Sequence, residues 1–315
     1  MVTIDNFYHL LLLKSVFTCS NNQPRAYSIM DLHQPRKASR IVTGIPTTDG
    51  GGVHLNRVMG THYFNMLDPF LLLDEFHSDK SQDYIAGFPD HPHRGFETVT
   101  YMLAGRIRHK DNAGHEGVVE AGGIQWMSAG KGIIHSEMPE QDNGLMWGFQ
   151  LWINLPAAEK MSQPRYQEFN SEQIPREIRD GNIIVRVITG TTSLGTQGPV
   201  NNVATHPLYL NIELPPDTEF TEPVDISHNA FIYVYTGELH VINSDKSEEP
   251  VIKQGSLAIL DNGDGIYLKA ASSGAKCLLV SALPLNEPVV RSGPFVMNTR
   301  EEINQAIQDY QQGLF

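Results

Sequence analysis

Between residues 96 and 155 the chain repeats one pattern: a short β-branched and aromatic run, a glycine-bearing turn, then another short run. Residues 96–103 are rich in Thr, Val and Tyr, Ala104-Gly105 makes a turn, and residues 106–110 are predicted to return as a hairpin. Residues 118–120 and 124–127, joined through Gly122-Gly123, read as another short pair, and residues 133–138 follow the turn Gly130-Lys131-Gly132. Residues 145–155 form a long strand with Trp147, Phe149, Leu151 and Ile153 on one face. Strands of this length and spacing, with no helices between them, read as a barrel or sandwich.

The pattern extends in both directions. Residues 53–59 are strand-like, and 67–76 carry an apolar run that reads as a buried strand. Residues 156–182 are polar and proline-bearing, with a helix expected over 171–179; they form the linker to a second β-rich set that has Thr236-Gly237 as a hairpin turn. At 315 residues the chain exceeds what one hydrophobic core usually serves, so two domains are expected. The boundaries fall at 30–160 for the first, 161–290 for the second and 291–315 for a C-terminal helical segment. In that segment Thr299 and Glu302 have the spacing of a capping box, and Ile303, Ala306, Ile307 and Tyr310 form one apolar stripe. Residues 1–29 read as a loosely attached extension, the rival being a weak export signal.

Charge and cysteine content narrow the function. A net charge of −13 argues against general nucleic-acid binding, which needs Lys and Arg to neutralise phosphates, while leaving protein partners open. The two cysteines, Cys19 and Cys277, suggest neither a disulfide framework nor a thiolate metal site, and a cytoplasmic location fits. No segment is long enough to span a bilayer as an apolar helix.

The chemistry concentrates in two places. In residues 87–97, His91 and His93 point the same way if the segment is a strand, and the same parity continues to Glu97, Val99 and Tyr101. Forty residues on, His135 and Glu137 share a face behind a glycine turn. Two such strands side by side can close three imidazoles and a carboxylate around one divalent cation. Mixed N and O donors with open positions suit Fe(II), with Mn, Ni, Cu or Zn as alternatives. Glu97 is read as an outer partner that orients a histidine ring rather than a ligand. Gln150, which shares a face with Trp152, is expected to line the pocket. His109 and His115 read as surface residues, and the lone His228 leaves the second barrel without a metal site.

Residues 87–101, the stretch from Gln125 through His135-Ser136-Glu137 to Pro139, residues 67–76 and residues 148–155 together resemble the pirin family of the cupin superfamily. The likeness covers roughly residues 35–290 and is strongest in the first half. It implies an all-β bicupin, two antiparallel jelly-roll barrels, with one iron in the first held by His91, His93, His135 and Glu137. It also implies quercetin 2,3-dioxygenase-type activity on a small aromatic substrate with O2, in which Glu137 could serve as general base. The alternative it carries is a non-enzymatic, iron-dependent regulatory protein that binds a protein partner.

Overall fold

The computed structural model describes residues 32–242 and 250–315, so the expected extension over 1–29 lies outside the described residues. Among the described residues, twenty-two strands, one α-helix and two single-turn 3-10 helices account for the regular structure, the strands numbered here in chain order. The first half holds a seven-stranded antiparallel sheet in the spatial order β12 (Arg165–Phe169), β9 (Ile124–Ser128), β6 (Phe96–Ala104), β11 (Met146–Asn154), β4 (Phe70–Ser78), β3 (Val53–Met59) and β2 (Ile45–Asp49). Against it packs a four-stranded sheet, β5 (Phe88–His93), β10 (Ile133–Pro139), β7 (Ile107–Asp111) and β8 (Glu116–Val119). Val53, Phe76 and Met102 of the large sheet meet Ile107, Val119 and Phe88 of the small one.

The second half is built on one long sheet: β1 (Ala38–Thr43), β19 (Ser256–Leu260), β17 (Asn229–Val241), β20 (Gly265–Ala282), β15 (Leu208–Leu214), β14 (Ile183–Thr189) and β13 (Arg176–Arg179). To its flanks are added β16 (Glu219–Pro223), which pairs with β20, and β18 (Ile252–Lys253), which pairs with β17. A two-stranded ribbon, β21 (Val290–Ser292) and β22 (Phe295–Met297), leads into α1 (Arg300–Gln311). Each half is a jelly roll of sheets folded over its own core rather than a closed barrel.

Three local expectations change. Residues 96–103 and 106–110 do not form a hairpin: β6 lies in the large sheet and β7 in the small one, and β8 and β9 are likewise separated. Burial explains the split. β6 is buried on both faces through Met102, whereas β7 alternates buried with exposed positions, the pattern of a sheet with one wet side. The helix over 171–179 is absent, and β13 stands there instead with alternating exposure. Its inward residues are charged: Arg179 reaches Glu177 and Glu222, each at 2.7 Å, inside the second half. Thr236-Gly237 does not reverse the chain either. It sits in a bulge within β17, where Gly237 has φ 71° and lies so close to Gly274 that a Cβ would meet the Gly274 carbonyl oxygen at 2.1 Å.

The two halves share a core. The expected face of β11 holds: Phe149, Leu151 and Ile153 are fully buried, and with Val99, Tyr101 and Trp126 they pack on Tyr209, Phe231, Tyr233 and Val280. Polar contacts cross the same seam, with Tyr233 donating to Glu75 at 2.5 Å and Asn211 donating to the Tyr101 hydroxyl at 2.8 Å. The ends of the chain are exchanged. β1 precedes the first jelly roll in sequence but pairs with β19 of the second, while the segment from Pro294 onward packs on the first. The expected helix and its capping box are present at Thr299 and Glu302.

Candidate metal centre

The local sequence of β5 sets up the site. His91 and His93 are two residues apart on an extended strand, and the antiparallel register of β10 brings His135 opposite His91 and Ile133 opposite His93. Three imidazoles thereby converge, with ring centroids 4.4–5.0 Å apart and ligand nitrogens all within 4.8 Å of one another. His93 and His135 are 2% and 1% exposed, and neither ring nitrogen of either makes a hydrogen bond. Burial, reinforced by the neighbouring imidazoles, pushes both well below the ordinary histidine range, so they are neutral. His91 has Nδ1 2.8 Å from the Pro89 carbonyl, so Nδ1 donates there and Nε2 is the nitrogen left for a metal. Buried, unprotonated, unpartnered imidazoles fit a cation and would be costly without one.

Glu137 stands beside this group rather than in it. On β10 it shares the buried face of His135, as parity requires, but its carboxylate is held elsewhere. Thr100 donates to Oε1 at 2.8 Å and Gln150 donates to Oε2 at 2.7 Å. Gln150 in turn accepts from the Trp152 indole at 2.9 Å, so three side chains lock one another.

Glu97 departs from the expected parity. The strand does not run on from His93 to Glu97: Arg94-Gly95 breaks it, Gly95 has φ 87°, and β5 and β6 belong to different sheets. Phe96, not Glu97, therefore meets the His93 ring, at 5.1 Å between centroids. Glu97 turns toward Trp126, Ser128 and Arg165, the last at 3.9 Å. Burial pushes its carboxyl up to about 7, with those three neighbours pulling the other way. No hydrogen bond joins it to any of the three histidines.

A cavity of about 580 Å³ opens over His91 and His93. Gln150 lines it as expected; Glu137 is not among its walls. Trp152 forms one side, with the Arg291 guanidinium 4.7 Å above its ring, and Arg57, paired with Asp74 and Asp49 at 2.7 Å each, forms another. Arg57 and Arg291 were not legible in the sequence, because Arg291 arrives from the C-terminal ribbon some two hundred residues from His91 and no spacing connects them. Thr100 could have been found: it lies on the face of β6 opposite Glu97, once the break at Gly95 is allowed for.

A two-sheet jelly roll with inward imidazoles, followed by a second jelly roll packed against it, defines a bicupin. Residues 52–153 match the family model Pirin and residues 209–315 match the model Pirin C-terminal cupin domain. The chain belongs to the pirin family. A pirin-like protein of Caulobacter vibrioides is 53% identical over 280 residues, covering 89% of this chain and 99% of that one. Human pirin is 40% identical over 277 residues, covering 87% and 92%. Among solved structures, a quercetin 2,3-dioxygenase from Acinetobacter baumannii superposes with a TM-score of 0.80 at 30% identity, covering 89% of this chain and 98% of that one. A bacterial pirin from Escherichia coli, solved in complex with nickel(II), shares the fold with a TM-score of 0.55 at 24% identity, covering 79% and 97%.

Proposed function

We propose that this pirin-family chain is a metal-dependent dioxygenase that cleaves quercetin or a related enolic aromatic with O2. The observation that carries it is the convergence of three imidazoles, two of them buried and without a hydrogen-bond partner, beneath a cavity of about 580 Å³ lined by His91 and His93, a size suited to a small aromatic ligand. His91, His93 and His135 would hold the metal, and Glu137 is the carboxylate available to complete the set. Its absence from the cavity wall speaks against direct proton abstraction from a substrate. Three imidazoles with one carboxylate suit Fe(II), with Mn, Ni, Cu or Zn as alternatives. When bound, such a metal supplies a Lewis acid and, as Fe(II), redox chemistry with dioxygen.

The protein's own residues do the rest. Trp152 offers a flat apolar wall for an aromatic ring, and Arg291, stacked on that indole, brings positive charge to the same wall. Arg291, bonded to backbone carbonyls, is the positive charge placed to meet an enolic ligand bound as its anion, whereas Arg57 is already paired with Asp49 and Asp74, which line the same cavity. Gln150 fixes Glu137 and orients Trp152 at once. The flat Trp152 wall and the Arg291 charge beside it thus suit a planar, ionisable substrate. The A. baumannii relative and a candidate quercetin 2,3-dioxygenase of Pseudomonas aeruginosa, 45% identical over 283 residues, support this choice of substrate class.

The test combines elemental analysis of the purified protein with oxygen uptake on quercetin. The expected result is one metal at the three-histidine site and uptake that disappears in His93→Ala while circular dichroism stays unchanged. Metal-replete protein that turns over no flavonol would refute the dioxygenase reading and favour a non-enzymatic, metal-dependent protein partner role instead.

A further inference from the structure

A second histidine cluster lies in the first jelly roll and shares no residue with the one above. His109, expected on the surface, is 1% exposed on β7; the inward face of that strand carries Ile107, His109 and Asp111. His115, in the β7–β8 turn, and Glu168, on β12, meet it there, so the group bridges the small and large sheets. His109 Nε2 is 2.8 Å and His115 Nε2 is 3.1 Å from the same atom, Glu168 Oε1.

The His115–Glu168 contact is a hydrogen bond, and two further observations make room for a ligand beside it. Neither nitrogen of the buried His109 makes a hydrogen bond; Nε2 comes close to Oε1 without the alignment that N–H donation needs. The space beside these donors is also kept clear. A Cβ at Gly117 would meet His109 Nε2 at 2.5 Å and Glu168 Oε2 at 2.9 Å. The scaffold is rigid: Gln125 donates to Glu168 Oε1 at 2.9 Å, and the Tyr166 ring stacks on His115 at 4.3 Å. Asp111 accepts the His115 backbone N–H at 2.8 Å and so shapes the turn that presents that ring.

We propose that His109, His115 and Glu168 form a second divalent transition-metal site beside the three-histidine centre, with His109 opposite Glu137 on the neighbouring strand. With metal–ligand distances of about 2.0–2.2 Å, donors at right angles sit about 2.9 Å apart and tetrahedral donors about 3.4 Å apart. The observed 2.8 and 3.1 Å separations match the right-angled arrangement, which leaves further positions for water. Side chains of His115 and Glu168 that are 43% and 31% exposed give a cation its way in. Two imidazoles and one carboxylate select the same borderline cations as the first centre, and no thiolate is present to draw in softer ones.

The experiment uses the full chain, stripped with a chelator, dialysed against Ni(II), washed free of unbound metal and assayed for nickel per protein. The expected count is two for the native chain and one for each of His115→Ala, Glu168→Gln and His93→Ala, with circular dichroism unchanged. His115 is half exposed and Glu168→Gln keeps the side-chain shape, so neither substitution threatens folding. A native count of one that survives both His115→Ala and Glu168→Gln overturns the proposal, as does a count of two undiminished in either. A single nickel lost in His115→Ala but kept in His93→Ala would uphold this site and refute the three-histidine one.

Discussion

Side chains in this protein are placed by hydrogen bonds that no strand period dictates, and Gln150 is the clearest case. It donates to Glu137 and accepts from Trp152, joining the candidate carboxylate ligand to the cavity wall. Gln150→Leu removes both bonds while keeping the volume, and should weaken metal affinity about 10- to 100-fold, as loss of an outer partner does; competition with a chromogenic chelator reads this. Glu97 makes a different prediction. Its carboxyl sits at about 7 in the folded chain against 4.5 for an ordinary glutamate. A raised acid binds its proton more tightly when folded, so its stabilising contribution is complete below pH 4.5 and is lost as pH rises through 7. The loss is on the order of 3 kcal/mol across that window. Glu97→Gln should therefore gain stability over the native chain between pH 5 and pH 8 in urea titrations. A difference that does not change with pH would contradict this.

Among the elements, the break between β5 and β6 decides what the site contains. Gly95 has φ 87°, and a Cβ there would meet the Val296 carbonyl oxygen at 2.0 Å, so both conformation and space require glycine. Lys160, 1% exposed, donates to the Gly95 carbonyl at 2.7 Å, to Asn154 at 2.6 Å and to the Val296 carbonyl at 3.0 Å. One ammonium group thus ties the break to β11 and to the C-terminal ribbon. Lys160→Met leaves three buried acceptors without a donor and should cost more than about 2 kcal/mol in thermal or urea unfolding. Had the strand run straight through Arg94 and Gly95, the parity argument would have brought Glu97 to the metal. A glycine within a β pattern signals such a break, but its direction is set by β22, far away in sequence.

At the scale of the whole molecule, the exchanged ends and the shared core make the two jelly rolls interdependent. β1 completes the second sheet, and Arg94 of the first half pairs with Asp309 of α1 at 2.7 Å beneath the Phe315 ring. The Tyr101, Phe149, Tyr209 and Tyr233 rings form a seam whose two sides belong to different halves. The three tryptophans, Trp126, Trp147 and Trp152, all lie in the first half, which permits a direct check. Tryptophan fluorescence reports that half and its seam with the second, while far-ultraviolet circular dichroism reports both halves. The two urea transitions should coincide. Separate midpoints would mean that the halves unfold independently and that the exchanged ends do not couple them.

The doubled jelly roll rested on the family resemblance, while period-two patterning, glycine turns and the paired His-x-His and His-x-Glu segments were enough to establish most of the strands, the two β-rich halves and the faces shared by His91 with His93 and by His135 with Glu137. Those features depend on neighbours within a few residues, where backbone geometry alone dictates which side chains share a face. Sheet assignment of β6 and β7, the turning away of Glu97, the burial of His109 and the arrival of Arg291 depended on segments distant in the chain. Local period carries no record of which distant strand or ribbon will supply the other wall, so packing had to make those choices.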